Sequence, residues 1–284
     1  MRTARIHLDA SLDLGSGAKR SSLAPAPAAF PLAVLVAAAS LAGIYSPATY
    51  ARETAAWAAQ GIAQDWFDLL FTVPWLLITG ALALRGSARA AILLAGGASY
   101  VLYEFVIYAF AVHFNAVFLV YCATLGLSFF STIAAIGFAS RLPPPVPWSN
   151  RRRGLVGGFL VLLGAMFAAT WLAEILPALA KGTTPSSIIQ AGLMTNPVHV
   201  MDLSIVLPIH FAVGIAVLYH RRRGVTLAPI VLAFDLVMTA SIAAMMLLMR
   251  ARGSETSAAL TVAMGALSVA SAALLGQVMP RRAP

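Results

Sequence analysis

The chain has 284 residues, 60% of them hydrophobic and only 10% charged, against about 25% charged in an ordinary soluble domain, so a soluble globular fold is excluded and the bilayer takes the place of solvent. The net charge of +9 does not signal nucleic acid, because the basic residues form short clusters at the ends of apolar stretches, as expected for anchoring against anionic lipid. The single cysteine, Cys122, excludes an intrachain disulfide and any cysteine-based metal site within one chain.

In chain order, residues 1–28 are a polar leader without periodicity, expected to be disordered and cytoplasmic. Residues 29–284 are expected to form one transmembrane helical domain. The first apolar stretch, 30–46, is short. A basic leader before such a run is also the pattern of a cleaved signal peptide, but the length of the leader and its Asp9 and Asp13 favour an uncleaved span. Further apolar stretches follow at 65–84, 89–112, 115–139, 154–177, 200–219, 226–249 and 256–279, each near the ~20 residues that cross hydrocarbon as helix. The fold class expected is therefore all-α, a polytopic membrane helix bundle of about eight transmembrane helices. Pro143, Pro144, Pro145 and Pro147 are expected to end the fourth, and Ser254 to cap the eighth. Residues 47–64 read as a loop with a short interfacial helix, and 178–199 as a Gly/Thr/Pro/Ser-rich loop. No repeat between the two halves is evident.

Basic residues fall alternately in the gaps. Fifteen lie in one set of gaps, among them Arg85, Arg89, Arg151 to Arg153 and Arg221 to Arg223, and four in the other. By the positive-inside rule the first set is cytoplasmic, as are both termini.

That orientation gathers the titratable residues toward the outward half. Ionisable groups inside a span cost on the order of 2.5–3.5 kcal/mol each at the helix centre on insertion scales, so they face the bundle interior and mark candidate sites. Asp65 and Asp68, three apart, share a face at the outer start of the second span, either as cap and interfacial group or as a ligand pair. Tyr100, Tyr103, Glu104 and Tyr108 form one stripe on the third, with Glu104 roughly 13 Å below the outer end. His113 and Asn115 make the next turn, and Tyr121 follows. Glu174 ends the fifth span. Asn196, His199 and Asp202 open the sixth, and the His199–Asp202 spacing of three suits a carboxylate-oriented general base, a ligand pair or a cap. Glu104, His199 and Asp202 are the candidate acid–base groups. Asp65, Asp68, Tyr103, Tyr108, His113, Asn115, Tyr121, Glu174 and Asn196 are candidate substrate-binding groups. The set offers nitrogen and oxygen donors for a divalent metal but has no tight metal motif, so no metal is predicted and the cofactor stays unknown. His210 receives no role, and Asp235 reads as a structural partner for a neighbouring helix.

The strings Asp65-Trp66-Phe67-Asp68-Leu69-Leu70, His113-Phe114-Asn115-Ala116-Val117-Phe118-Leu119-Val120-Tyr121 and Thr195-Asn196-Pro197-Val198-His199-Val200-Met201-Asp202-Leu203 resemble those of an uncharacterised family of bacterial multi-spanning membrane proteins. The resemblance covers most of the second to seventh spans and implies no activity. It implies a bacterial inner-membrane location. The expected partners are the lipid bilayer and a lipid or small amphipathic ligand, not nucleic acid. Three functions compete: a membrane-embedded enzyme doing acid–base chemistry on a lipid-like substrate, a proton- or cation-coupled transporter, and a non-catalytic receptor or structural subunit.

Overall fold

The computed structural model describes residues 26–141 and 148–280, and the side chains among them other than those of 139–141. Most of the leader, the proline-rich segment 142–147 and residues 281–284 lie outside the described residues. The described chain is helical and contains no strand. The helices are α1 (Ala29–Tyr45), α2 (Ala55–Leu84), α3 (Ala88–Ala111), α4 (Phe118–Arg141), α5 (Asn150–Lys181), α6 (Ser186–Ala191), α7 (Pro197–Leu218), α8 (Arg222–Ala251) and α9 (Ala258–Val278). Seven of them, all but α1 and α6, are long and apolar enough to cross a membrane, so the chain is a multi-pass membrane helix bundle. The apolar α1 has 17 residues.

The expected interfacial helix within 47–64 is instead the first part of α2. Thr54 caps it by accepting from Trp57 N–H at 3.2 Å, and the helix runs unbroken through Asp65. Hydropathy hides this start because Gln60, Gln64 and Asp65 turn a polar face inward, where no water-facing loop is needed to hold them. Residue 254 is likewise not the cap of α9, since Ser257 accepts from Leu260 N–H at 3.2 Å. On α9, Gly265 and Gly276 face open space, while Ser268 Oγ donates to Leu236 O of α8 at 3.1 Å. A close helix contact occurs between α5 and α7, where a Cβ on Gly157 would lie 2.8 Å from Gly214 O.

α2 and α7 share an interruption. Each passes through a π turn that begins on aspartate, Asp68–Thr72 and Asp202–Val206. Pro74 and Pro208 explain it. A proline ring clashes with the carbonyl four residues back, and the wider turn relieves the clash. Val73 N–H then reaches Asp68 O, and Leu207 N–H reaches Asp202 O. Asp68-Leu69, Pro74 and Gly80 recur as Asp202-Leu203, Pro208 and Gly214 at a constant offset. The helices follow suit: α1, α2, α3 and α4 are matched in order by α5, α7, α8 and α9. In each set the second helix packs on the first and third, and the third packs on the fourth. The chain therefore carries a repeat that its apolar sequence conceals, because Leu, Ile, Val and Ala exchange freely against lipid and only the helix breakers and acids remain to be matched.

The third helices of the two sets, α3 and α8, meet at the centre. Gly96 sits so close to Ala233 that a Cβ on it would fall 2.5 Å from the Ala233 Cβ. Arg85, Arg89, Arg151 to Arg153 and Arg221 to Arg223 gather at one end, where Arg89 Nε donates to Pro280 O. An apolar core of Val156, Leu160, Val213, Val217, Ala228, Leu232 and Leu275 fills that end. The loops 46–54 and 112–117 and helix α6 form the opposite rim, tied by Trp57 Nε1 to Ala111 O at 2.9 Å and Thr54 Oγ1 to Gln190 O at 2.9 Å.

Candidate functional site: two chambers below the rim

The π turn of α2 points its acids into the bundle. Asp65 lies ten residues past Ala55, about 15 Å along the helix. It is neither a cap nor an interfacial group, being 1% exposed, like Asp68. Both its oxygens are engaged: the Tyr50 hydroxyl donates to Oδ2 at 2.7 Å and the Tyr108 hydroxyl to Oδ1 at 2.8 Å. Burial, and next the Asp65 carboxylate beside it, hold the Tyr50 phenol well above the usual tyrosine range. Glycine makes room for this clamp. A Cβ on Gly43 of α1 would fall 1.8 Å from Asp65 Oδ2, and one on Gly61 would fall 2.8 Å from the Tyr50 ring.

Asp68 Oδ1 accepts from Thr72 Oγ1 at 2.8 Å and, more loosely, from Gln64 Nε2 and Tyr100 Oη at 3.4 Å each. Gln64 is itself held by Ser241 Oγ, which donates to its Oε1 at 3.0 Å across the gap to α8. Glu104 of α3 lies beside Asp68 and Gln64. It is buried, and neither of its carboxyl oxygens meets a hydrogen-bond donor among the described residues; the same holds for Asp68 Oδ2. The neighbouring donor, the Gln64 amide, is given to Asp68 Oδ1 and Tyr100, so these three buried acceptors are costly unless a proton shared between the carboxyls or a ligand donor satisfies them. Glu104 lines a chamber of about 160 Å³ with Tyr50, Trp57, Gln60, Gln64, Tyr100 and Tyr108 among its walls.

A second, larger chamber of about 480 Å³ lies against the first and shares with it a wall that includes Tyr103 and Met238. Asp202, at the π turn of α7, lines it and accepts from Trp171 Nε1 at 2.7 Å. Its floor holds His210 and Asp235, joined Nε2 to Oδ1 at 2.7 Å and both 3% exposed. His210 Nδ1 donates to Val206 O at 2.7 Å. One proton therefore sits between ring and carboxylate, and the pair is neutral as a unit. Asp235 is thus the structural partner expected of it, and the helix it joins is α7.

His199 and Asp202, expected to act together, take separate partners. His199 Nε2 stands 3.6 Å from Glu174 Oε2, and its ring lies tilted against that of Trp171 with centres 4.7 Å apart; the Trp171 N–H goes to Asp202. The three-residue spacing puts both on one face, but the bulky Trp171 occupies the place between them. Neither His199 nor Glu174 lines a chamber. Glu174 also accepts from Ser187 N–H at 3.1 Å and so anchors α6.

Other candidates hold the rim. His113 is exposed and accompanies Glu53, whose Oε1 accepts from His113 N–H at 2.7 Å. Asn115 accepts from Val117 N–H at 3.0 Å and donates to Thr49 O at 3.2 Å. Asn196 caps α7 by accepting from Val198 N–H at 3.0 Å. Tyr121 is buried against Tyr108 with ring centres 5.3 Å apart, behind the clamp on Asp65. Sequence reasoning passed over Gln64, Trp171 and His210, polar residues in apolar company that could have been flagged by that contrast alone. Among the described residues no group of three or more His, Cys, Asp or Glu is arranged to hold a metal ion.

No family model matches the chain, nor does any curated protein or solved structure.

Proposed function

We propose that this protein is a membrane-embedded enzyme that does acid–base chemistry on the polar end of a lipid-like substrate in the smaller chamber, with Glu104 as the proton-transferring group. The observation that carries the reading is the carboxyl of Glu104: buried, on a residue that lines a chamber, and with neither oxygen in a hydrogen bond among the described residues. Asp65, by contrast, has both oxygens satisfied. Asp68 would share the proton, and the phenols of Tyr100 and Tyr108 would orient a polar head. Asp202, with Trp171 and Tyr103, stands next to this chamber, and His199 acts at one remove by fixing Trp171.

The positive-inside rule orients the arginine-bearing end to the cytoplasm, so the rim near the two chambers faces outward and both termini lie inside. The matching order of the two helix sets supports α1 as an eighth crossing, because it holds in the first set the place that α5 holds in the second. The strings around Asp65, His113 and Asn196 support kinship with the uncharacterised bacterial membrane family they resemble, and hence an inner-membrane location. Coupled transport is the second reading, favoured by the His210–Asp235 pair deep in the bundle. The apolar core between that pair and the arginine-bearing end opposes a continuous path.

The test is lipid mass spectrometry on purified wild type and Glu104→Gln, each incubated in nanodiscs made from a total bacterial lipid extract. A lipid converted by wild type and untouched by Glu104→Gln is expected. Identical lipid profiles for both proteins and for empty nanodiscs would overturn the proposal.

A further inference from the structure

We propose that the larger chamber is a second binding site, for a hydrophobic organic cation drawn sideways from the bilayer. This inference is independent of the chemistry assigned to Glu104. The chamber lies between α5 and α9, outer helices that pack mainly on α7 and α8 respectively. Leu163, Phe167 and Trp171 face it from α5, and Leu260 and Met264 from α9. Together with Met238, Met245, Met246 and Met249 of α8 they give it mostly apolar, adaptable walls. Thioether and indole surfaces also suit a diffuse positive charge.

The charge inside has one sign. The titratable groups that line the chamber are Asp202, Asp235, His210 and the Tyr103 phenol, with Glu255 exposed at the mouth, and no lysine or arginine lines it. His210 and Asp235 cancel as a pair, which leaves Asp202 unbalanced. Asp235 contributes more than its paired oxygen: Oδ2 is buried with no hydrogen-bond partner among the described residues. A carboxylate oxygen held bare beside an apolar chamber is costly alone and is relieved by a cation. Asp202 disfavours an anion, and a neutral hydrocarbon would leave Asp202 and Asp235 Oδ2 uncompensated.

Tetraphenylphosphonium and tetraphenylborate have the same shape and opposite charge, so together they separate charge recognition from plain hydrophobicity. Retention of each, radiolabelled, is measured on the full chain in nanodiscs, after subtraction of the uptake by empty nanodiscs. Saturable retention of the phosphonium, about tenfold or more above the borate, is expected. Asp202→Asn and Asp235→Asn should each weaken it by about tenfold or more, Met264→Trp should weaken it by narrowing the chamber, and Glu104→Gln should leave it unchanged. Equal retention of the two ions would overturn the proposal, as would wild-type affinity in Asp202→Asn or Met264→Trp. Because Asp235→Asn strips His210 of its partner, that variant is first checked for folding. If it fails to fold, Asp202→Asn and Met264→Trp decide the matter. Loss of phosphonium retention in Glu104→Gln would overturn the independence of the two chambers, whereas loss of lipid conversion with retention intact bears only on the enzyme.

Discussion

Gly43→Ala is a small change at which the site geometry makes a large demand. The added methyl would lie 1.8 Å from Asp65 Oδ2, 2.6 Å from Asp65 Cγ and 3.0 Å from the Tyr50 ring. Asp65 cannot swing aside freely, because hydroxyls at 2.7 and 2.8 Å hold its two oxygens. Either both charge-assisted hydrogen bonds break, at about 1.5–3 kcal/mol each, or α1 backs away from α2 and opens the core. A loss of about 3 kcal/mol or more is expected, read as a lowered midpoint of thermal unfolding in detergent by near-ultraviolet circular dichroism. A double-mutant cycle isolates the cause. In an Asp65→Ala background the carboxylate is gone and the same glycine substitution should be nearly neutral. Equal destabilisation in both backgrounds, or none in the wild-type background, would refute the claim that Gly43 exists to seat Asp65.

Breaking the buried His210–Asp235 pair by His210→Ala should destabilise the protein by about 3–5 kcal/mol, while His210→Leu with Asp235→Val should recover most of that, which a thermal midpoint series checks. Trp171→Phe removes the donor to Asp202 Oδ2 but keeps the ring against His199, so a loss of about 1.5–3 kcal/mol with an unchanged helical circular-dichroism spectrum is expected. Tyr50 gives the pH dependence. Its phenol holds its proton above the ordinary value of about 10, so the folded state binds more protons than the unfolded one in alkali. The stability from the clamp is complete below pH about 10 and falls as pH rises beyond it. A Tyr50→Phe variant should show a shallower alkaline decline than wild type, and a parallel decline would refute the assignment.

Much of the architecture was legible because the bilayer imposes it. A crossing helix needs about 20 apolar residues whatever packs beside it, so the stretches that become α3 to α5 and α7 to α9 stand out in the sequence. The start of α2 was hidden for the converse reason: a helix that lines a polar chamber has a polar face, and its first turns read as loop. Glu104 could be singled out because an acid amid phenols at that depth is costly anywhere in a membrane. Which side chains meet around it could not be read, since Tyr50, Asp65 and Tyr108 belong to three separate segments, and so do Gln64, Glu104 and Ser241.

From the sequence alone follow a helical membrane protein, the clustering of its arginines and the presence of acids that must face inward, because transfer free energy acts on each residue almost independently of the rest. The tertiary structure alone decided that Asp65 is satisfied and Glu104 is not, that Trp171 separates His199 from Asp202, that His210 finds Asp235, and that two sets of four helices repeat. Hydrogen bonds act over about 3 Å, and only the assembled bundle determines which side chains come that close.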